Sequence, residues 1–395
     1  MEPLKIAFVG MGQHYASHVW MRRMHELLAD QIVVSIDDCR NTRYSQRALT
    51  TIQLVPRKMS RVMRLIKLLG LTTRTHASTR SEWMLRVISR SGANCVLVHF
   101  LDYAVQFADV WKKLDLPVVV HCHGYDITWQ LKHFETAEPV HPPDYTDQVL
   151  ALGNNVSFIA NSTFTQQRLT KIGVEASRAP IKRFGVPVSS EPPTFDSACK
   201  TILYLGRLAS FKGPVETVRA FDRVAGKHNA CRLELAGDGP LALEVDQAID
   251  ACLHRSMIHR HGAVDVAQGD KLRSRSAVFT AHNQVGKLTG QQEAFGVSLI
   301  EAMANGLPVV TGRSGGLVDF VRHEENGMLF DSGDVSGHAD MLDELLSNWL
   351  KRQKLGLAAW ETVRENYQIE NEREDLLRIL DEAVNGTRQA HRIAA

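Results

Sequence analysis

Residues 291–316, QQEAFGVSLIEAMANGLPVVTGRSGG, admit few folds. Val297, Leu299, Ile300 and Met303 recur at the spacing of a helix lying on a sheet. Asn305-Gly306 is a helix stop, and Pro308 opens the next element. Residues 308–311 read as a short strand of the buried, parallel-sheet kind. A helix that feeds such a strand, followed by the Gly-rich loop 312–316, belongs in a layered α/β domain. Glu293 precedes the helix and Glu301 lies inside it, with seven residues between them.

That arrangement has chemical content. Free N–H groups at the helix start, around Ala294, Phe295, Gly296 and Val297, can receive an anion or sugar hydroxyls. Gly296 lets the backbone approach a ligand closely. Glu293 stands at the mouth as an acceptor for hydroxyls, and Glu301 reaches the same cleft from the helix flank. Two carboxylates beside a helix N-terminus suit a ligand with many hydroxyls and a phosphate. The alternative is two ordinary solvated glutamates, since Glu is a common helix former.

A chain of 395 residues with 44% hydrophobic content has room for about two to three domains with substantial cores. Its net charge of +2 gives no global attraction to nucleic acid. The six cysteines are scattered without a CxxC pair, as expected of a reducing compartment with neither a disulfide framework nor a zinc site. The N-terminus enters a strand directly, and no apolar run approaches the ~20 residues of a membrane span. A cytoplasmic protein is the expectation.

Along the first half, residues 4–9 form a strand that meets Gly10-Met-Gly12 and then a helix over 18–28. The third glycine of a dinucleotide fingerprint is missing, so a plain tight turn remains open. A second strand covers 31–36. Residues 57–90 carry nine Arg or Lys against the single acid Glu82, interleaved with apolar residues. This segment fits a basic amphipathic helix on an anionic membrane, a groove for an anionic acceptor, or a solvated helix pair packed inward. Further strands cover 94–98, 117–120 and 156–160. The one at 117–120 ends in His121-Cys-His123-Gly124-Tyr125-Asp126. At spacing i, i+2 the two histidines diverge if the strand continues, which argues against a shared metal. Asn161-Ser162 caps a helix over 163–171.

Periodicity is lost over 186–200, the best domain boundary. A new α/β series opens with strand 201–205 and Gly206-Arg207, followed by Lys212-Gly213-Pro214. Arg and Lys at a strand end can clamp a diphosphate, the one by its fork and the other as a point charge. Strands over 232–236, 257–261 and 277–281 follow, then a loop over 282–290 without an assigned role. Amphipathic helices lie beyond Asp334, with Leu342, Leu345, Leu346 and Trp349 on one apolar face, and a basic tail ends the chain as a disordered segment.

The Glu293…Glu301 spacing with Phe295-Gly296 between, continued by Glu-Ala-Met-Ala-x-Gly-x-Pro-Val-Val, resembles the nucleotide-sugar signature of the family-four retaining glycosyltransferases of the GT-B fold. Gly206-Arg207…Lys212-Gly213 and His123-Gly-x-Asp126 resemble two more motifs of that family. The resemblance covers the C-terminal half well and the N-terminal half in patches. It implies two doubly wound Rossmann-like α/β domains facing across a cleft. The expected division is an acceptor-side domain over 1–187, a linker over 188–200, a nucleotide-sugar domain over 201–375 and a terminal helix or tail over 376–395.

The resemblance also implies transfer of a hexose from a nucleotide diphosphate sugar to a hydroxyl acceptor, with retention and without metal or other cofactor. The candidate acceptors are a cell-surface glycan, a glycolipid or a small-molecule glycoside precursor, a lipid-linked or anionic one among the options. Arg207 and Lys212 then neutralise the diphosphate, Glu293 and the backbone at 294–297 hold the sugar, and Glu301 takes the ribose. Val264 stands by the base. Gly12 is the nearest equivalent of a donor-side glycine loop, His123 lies near the reacting centre, and Asp126 belongs to the acceptor side. The location stays cytoplasmic in expectation, with a peripheral place on the inner membrane face through 57–90 as one option. A sugar-nucleotide epimerase or hydrolase on the same fold and a non-catalytic donor-binding subunit remain as alternatives. A nicotinamide dehydrogenase is disfavoured by the incomplete N-terminal fingerprint.

Overall fold

The computed structural model describes residues 3–10, 19–37, 52–54 and 76–394. Gly12 and residues 57–75 of the basic segment lie outside them. Among the described residues, twelve strands fall into two six-stranded sheets, every named strand pair being parallel. The first contains β1 (Ile6–Gly10), β2 (Ile32–Asp37), β3 (Ile52–Leu54), β4 (Cys95–His99), β5 (Val118–His121) and β6 (Val156–Ile159), in the order β3-β2-β1-β4-β5-β6. The second contains β7 (Thr201–Leu205), β8 (Arg232–Ala236), β9 (Ile258–Gly262), β10 (Val278–Ala281), β11 (Val309–Gly312) and β12 (Gly327–Phe330), in the order β12-β11-β10-β7-β8-β9.

Both orders are the doubly wound pattern, in which the strand sequence reverses beside the first strand of the unit. Ligands bind at the carboxyl ends of strands at that reversal. In the second sheet the reversal lies between β7 and β10. The loop from Gly206 to Gly213 therefore starts where a ligand is expected. β1, β4, β5 and β11 are buried throughout, which explains why they read as unbroken apolar runs.

The chain crosses between domains twice. After the linker, the helix Trp349–Asn366 packs on the helix Val297–Ala304. The chain then turns at Tyr367-Gln368, and the helix Ile369–Ala394 runs back over β4 and β5 of the first sheet. The first domain is thus re-entered earlier than position 375, and the expected disordered tail continues as helix to Ala394. Lys182 and Glu372, both buried, form an ion pair at the return, and Gly185 N–H donates to the second Glu372 oxygen at 2.8 Å. Val186 N–H donates to the Tyr367 carbonyl at 2.9 Å. Trp349 departs from the expected stripe. Asn348 ends the preceding helix and caps the next, so Trp349 starts a new helix and is 40% exposed, while Leu342, Leu345 and Leu346 are buried.

The return contact yields a test. Glu372→Ala leaves the Lys182 ammonium buried without its partner, a loss of about 3–5 kcal/mol. A urea titration followed by tryptophan fluorescence should show the midpoint fall accordingly. An unchanged midpoint contradicts this role for the pair.

Candidate active site

A cavity of about 610 Å³ lies between the two sheets and takes its lining from both domains. Its walls include His123, Arg207, Lys212, Val264, Glu293, Ala294, Phe295, Gly296, Val297 and Glu301. Residues distant in sequence and singled out by their chemistry thus meet in one place.

The C-terminal wall is built from two segments. Strand β7 ends at Leu205, and the following loop makes a short turn before the helix Pro214–Ala225. Arg207 is exposed at the rim, and Lys212 projects inward. The second segment enters the helix Val297–Ala304 through Gly296, at φ +95°, where a Cβ would fall 2.4 Å from a Leu317 methyl. Only glycine fits both the left-handed backbone and that space. The loop before it is pressed equally closely. A Cβ on Gly315 would lie 1.9 Å from the Glu293 carbonyl, which accepts a hydrogen bond from Gly316 N–H at 2.9 Å.

The charges pair across these segments. Lys212 Nζ lies 2.6 Å from Glu293 Oε2, and both side chains are largely shielded, at 16% and 13% exposure. Glu301 is held by Arg273 at 3.2 Å and by Arg23, from the helix Val19–Leu27 of the opposite domain, at 3.3 Å. Arg23 also donates to the Gly185 carbonyl at 3.1 Å. Neither arginine stands out in the sequence. Arg273 closes the short helix Val266–Arg273, which has no marked apolar face, and Arg23 sits inside the helix Val19–Leu27, so only tertiary structure delivers them.

The N-terminal wall centres on His123. Strand β5 stops at His121, and the chain turns through Gly124 at φ +133°. Because the strand ends there, the two histidines do not diverge as expected. Their ring centroids are 4.3 Å apart, and His99 Nδ1 lies 3.1 Å from His123 Nε2. The three imidazoles form a cluster close enough to share an ion. Burial, reinforced by neighbouring His123, Lys182 and His99, pushes the His121 imidazole well below its usual pKa and keeps it neutral. Trp20 lies against the His123 ring with centroids 4.1 Å apart.

Asp126 does not face an acceptor. It is fully buried and turns back to accept from the backbone N–H groups of Leu101, His123 and Gly124 at 2.9, 2.9 and 2.7 Å. The carboxylate holds the turn that aims His123. Burial and the nearby Asp102 charge raise its pKa to about 6, although the three N–H groups pull the other way. The loop after β10 also braces rather than binds. His282 is buried, and Gln284 N–H donates to the Phe211 carbonyl at 2.9 Å while its side chain donates to the Ser210 carbonyl at 3.0 Å. That loop supports the turn bearing Lys212.

The two walls touch. A Cβ on Gly124 would lie 3.0 Å from that of Ala294, and Phe184 meets Phe295 edge to face at 5.3 Å. Asp319 accepts from Thr163 N–H, at the start of the helix Thr163–Lys171, at 2.6 Å.

Asp126→Ala strands three buried N–H groups and should cost about 1–3 kcal/mol for each that stays unpaired. The folded carboxyl keeps its proton up to about 6, against 3.8 for the unperturbed group. Its contribution to stability therefore declines as pH rises through that window and is level above it. The stability gap between parent and Asp126→Ala in urea should be wider near pH 4 than near pH 7. A gap that widens with rising pH contradicts the raised value.

Residues 188–361 match the family model described as glycosyl transferases group 1. An uncharacterized glycosyltransferase of Methanocaldococcus jannaschii is 31% identical over 172 residues, 44% of this chain and 42% of that protein. A D-inositol 3-phosphate glycosyltransferase of Corynebacterium diphtheriae is 32% identical over 217 residues, 54% of this chain and 45% of that protein. The chain spans under half the length of these curated relatives. Among solved structures, sucrose-phosphate synthase from Thermosynechococcus elongatus superposes with a TM-score of 0.75 at 16% identity, covering 97% of this chain and 100% of that one. The Anabaena protein HepE in complex with UDP gives 0.72 at 15% identity, covering 96% and 100%. At these identities the shared property is the fold, which is GT-B.

Proposed function

From the match of residues 188–361 to the glycosyl transferases group 1 model, we propose that the chain belongs to that family and moves a hexose from a nucleotide diphosphate sugar to a hydroxyl acceptor with retention at the anomeric carbon. The single observation that carries this reading is the meeting of Arg207, Lys212, Glu293, Glu301 and the start of the helix Val297–Ala304 in one cavity with His123 opposite.

In the reaction the bond from the anomeric carbon to the phosphate oxygen breaks, and its electron pair leaves with the diphosphate. Arg207, Lys212 and the amides before Val297 stabilise the charge that develops there, which is electrostatic catalysis by preorganised donors. These cations supply the neutralisation for which other enzymes use an ion, so we propose a metal-independent reaction without a cofactor. The acceptor oxygen forms the new bond from the face the diphosphate leaves, and its proton passes to the departing phosphate oxygen. Glu293 orients the sugar hydroxyls rather than attacking. Glu301 accepts from the ribose, with Arg273 fixing its carboxylate. Val264 lies beside the base, and His123 packs on the sugar near the reacting carbon.

Support for the donor class comes from the glycosyltransferase names of the relatives and from the UDP complex of the HepE fold neighbour. The basic segment 57–90 is the candidate contact with an anionic membrane or lipid-linked acceptor. Its helix His76–Arg90 is described, and among the described residues no helix is long and apolar enough to cross a membrane.

Lys212→Ala should lower kcat by about 10²–10³-fold, the loss typical of one preorganised donor. Unchanged turnover rejects the clamp. Glu301→Gln should weaken nucleotide binding by about tenfold or more in calorimetry, as for a charged hydrogen bond. Equal affinity rejects the ribose contact. A thermal-shift panel of nucleotide sugars identifies the donor, because a ligand of the native state raises its melting temperature. No response to any nucleotide sugar contradicts the proposal. Neutralising Arg57, Lys58, Arg61 and Arg64 should release the chain from anionic vesicles. Absence of salt-sensitive vesicle binding in the parent ends the membrane reading.

A further inference from the structure

Strand β9 is the outermost strand of the second sheet, with no strand beyond it among the described residues. Its sequence, Ile-His-Arg-His-Gly, places His259 and His261 on one face and Arg260 on the other. Arg260 turns inward, donating to the Gly237 carbonyl at 2.7 Å and pairing with Asp246 at 3.4 Å. On the histidine face, Glu234 of β8 is the cross-strand partner of His259. The register then slips between Leu235 and Ala236, so that His261 is the extra residue of a bulge. Bulges re-aim side chains. Here His261 Nε2 lies 2.5 Å from Glu234 Oε2, and the His259 and His261 rings are 4.3 Å apart. One ligand atom from each of the three residues lies within 4.8 Å of the others.

We propose that Glu234, His259 and His261 bind a divalent transition ion of the zinc class. Two imidazoles and one carboxylate are a donor set for zinc, cobalt or nickel, whereas magnesium and calcium take oxygen ligands. Tetrahedral zinc with bonds of about 2.0–2.1 Å sets its nitrogen and oxygen donors about 3.3 Å apart. His259 is exposed and has room to close that distance by rotation, and water fills the remaining position. A simple histidine–carboxylate pair accounts for His261 and Glu234 but requires nothing of His259, so His259 discriminates between the two. The bulge runs into Gly262, whose carbonyl accepts from Gly237 N–H at 2.7 Å, and then into Val264, Asp265 and Val266 of the cavity wall. An ion bound here fastens the end of the strand from which that wall departs.

The test is calorimetric titration of the chelator-treated full chain with zinc chloride, with nickel and magnesium chlorides for comparison. The expected result is one zinc or nickel ion per chain and no heat from magnesium. His259→Ala and Glu234→Gln should each weaken binding by about tenfold or more. His259→Ala should keep the parent circular dichroism and its transfer activity in metal-free buffer, since His259 lies outside the cavity lining. No binding, an affinity unchanged by His259→Ala, or binding lost instead with His121→Ala would each overturn the assignment. The last outcome would move the ion to the imidazole cluster of the first domain.

Discussion

The contact between Lys212 and Glu293 is the point on which the cavity turns. It joins the loop after β7 to the loop before the helix Val297–Ala304, and it brings their functional groups to one place. Both side chains are largely shielded from water, so their attraction is screened far less than that of an exposed pair. In the proposed reaction, an arriving diphosphate offers the ammonium a stronger partner, and the carboxylate becomes available to sugar hydroxyls. One rearrangement thus prepares both the leaving-group site and the sugar site.

The backbone makes that contact possible. Gly296 and Gly315 bring the 293–296 loop to separations that a side chain would forbid, and Gly124 does the same for the facing wall. The second ionic centre, Glu301 between Arg273 and Arg23, spans the cleft in the way the first spans two loops of one domain. Beneath the walls, the helix Ile369–Ala394 fastens the end of the chain to the first sheet through the buried Lys182–Glu372 pair. The relative position of the domains therefore rests on a few directional contacts and on two chain crossings, close to the cavity they enclose.

Much of this is legible in the sequence. Strands β7 and β8 were bounded by their apolar runs and the following glycines, and they occur over the same residues. The helix at 297 and its Asn-Gly stop follow from local chemistry, with Gly306 at φ +72°. The glutamate spacing and the Arg…Lys loop point to a shared site because each motif carries its own chemistry. Tertiary arrangement is less accessible. Arg23 and Arg273 sit in ordinary short helices, and no local pattern reveals that both reach Glu301. Asp126 follows His123 in a motif, but a motif does not say which way a side chain turns, and this one turns into the core. The His121–His123 contact depends on where a strand ends, which spacing alone leaves open. The return of the last helix to the first sheet is likewise invisible to local periodicity.

The central claim is that the diphosphate is held by Arg207 and Lys212 while the nucleoside is held elsewhere in the cavity. The most direct test compares the calorimetric affinities of the preferred nucleoside diphosphate and its monophosphate, in the parent and in the Arg207→Ala, Lys212→Ala double variant. The parent should prefer the diphosphate by about tenfold or more, as a charge-assisted contact demands. The double variant should bind the two nucleotides nearly equally, with monophosphate affinity little changed. A preference for the diphosphate that survives loss of both cations would contradict the account.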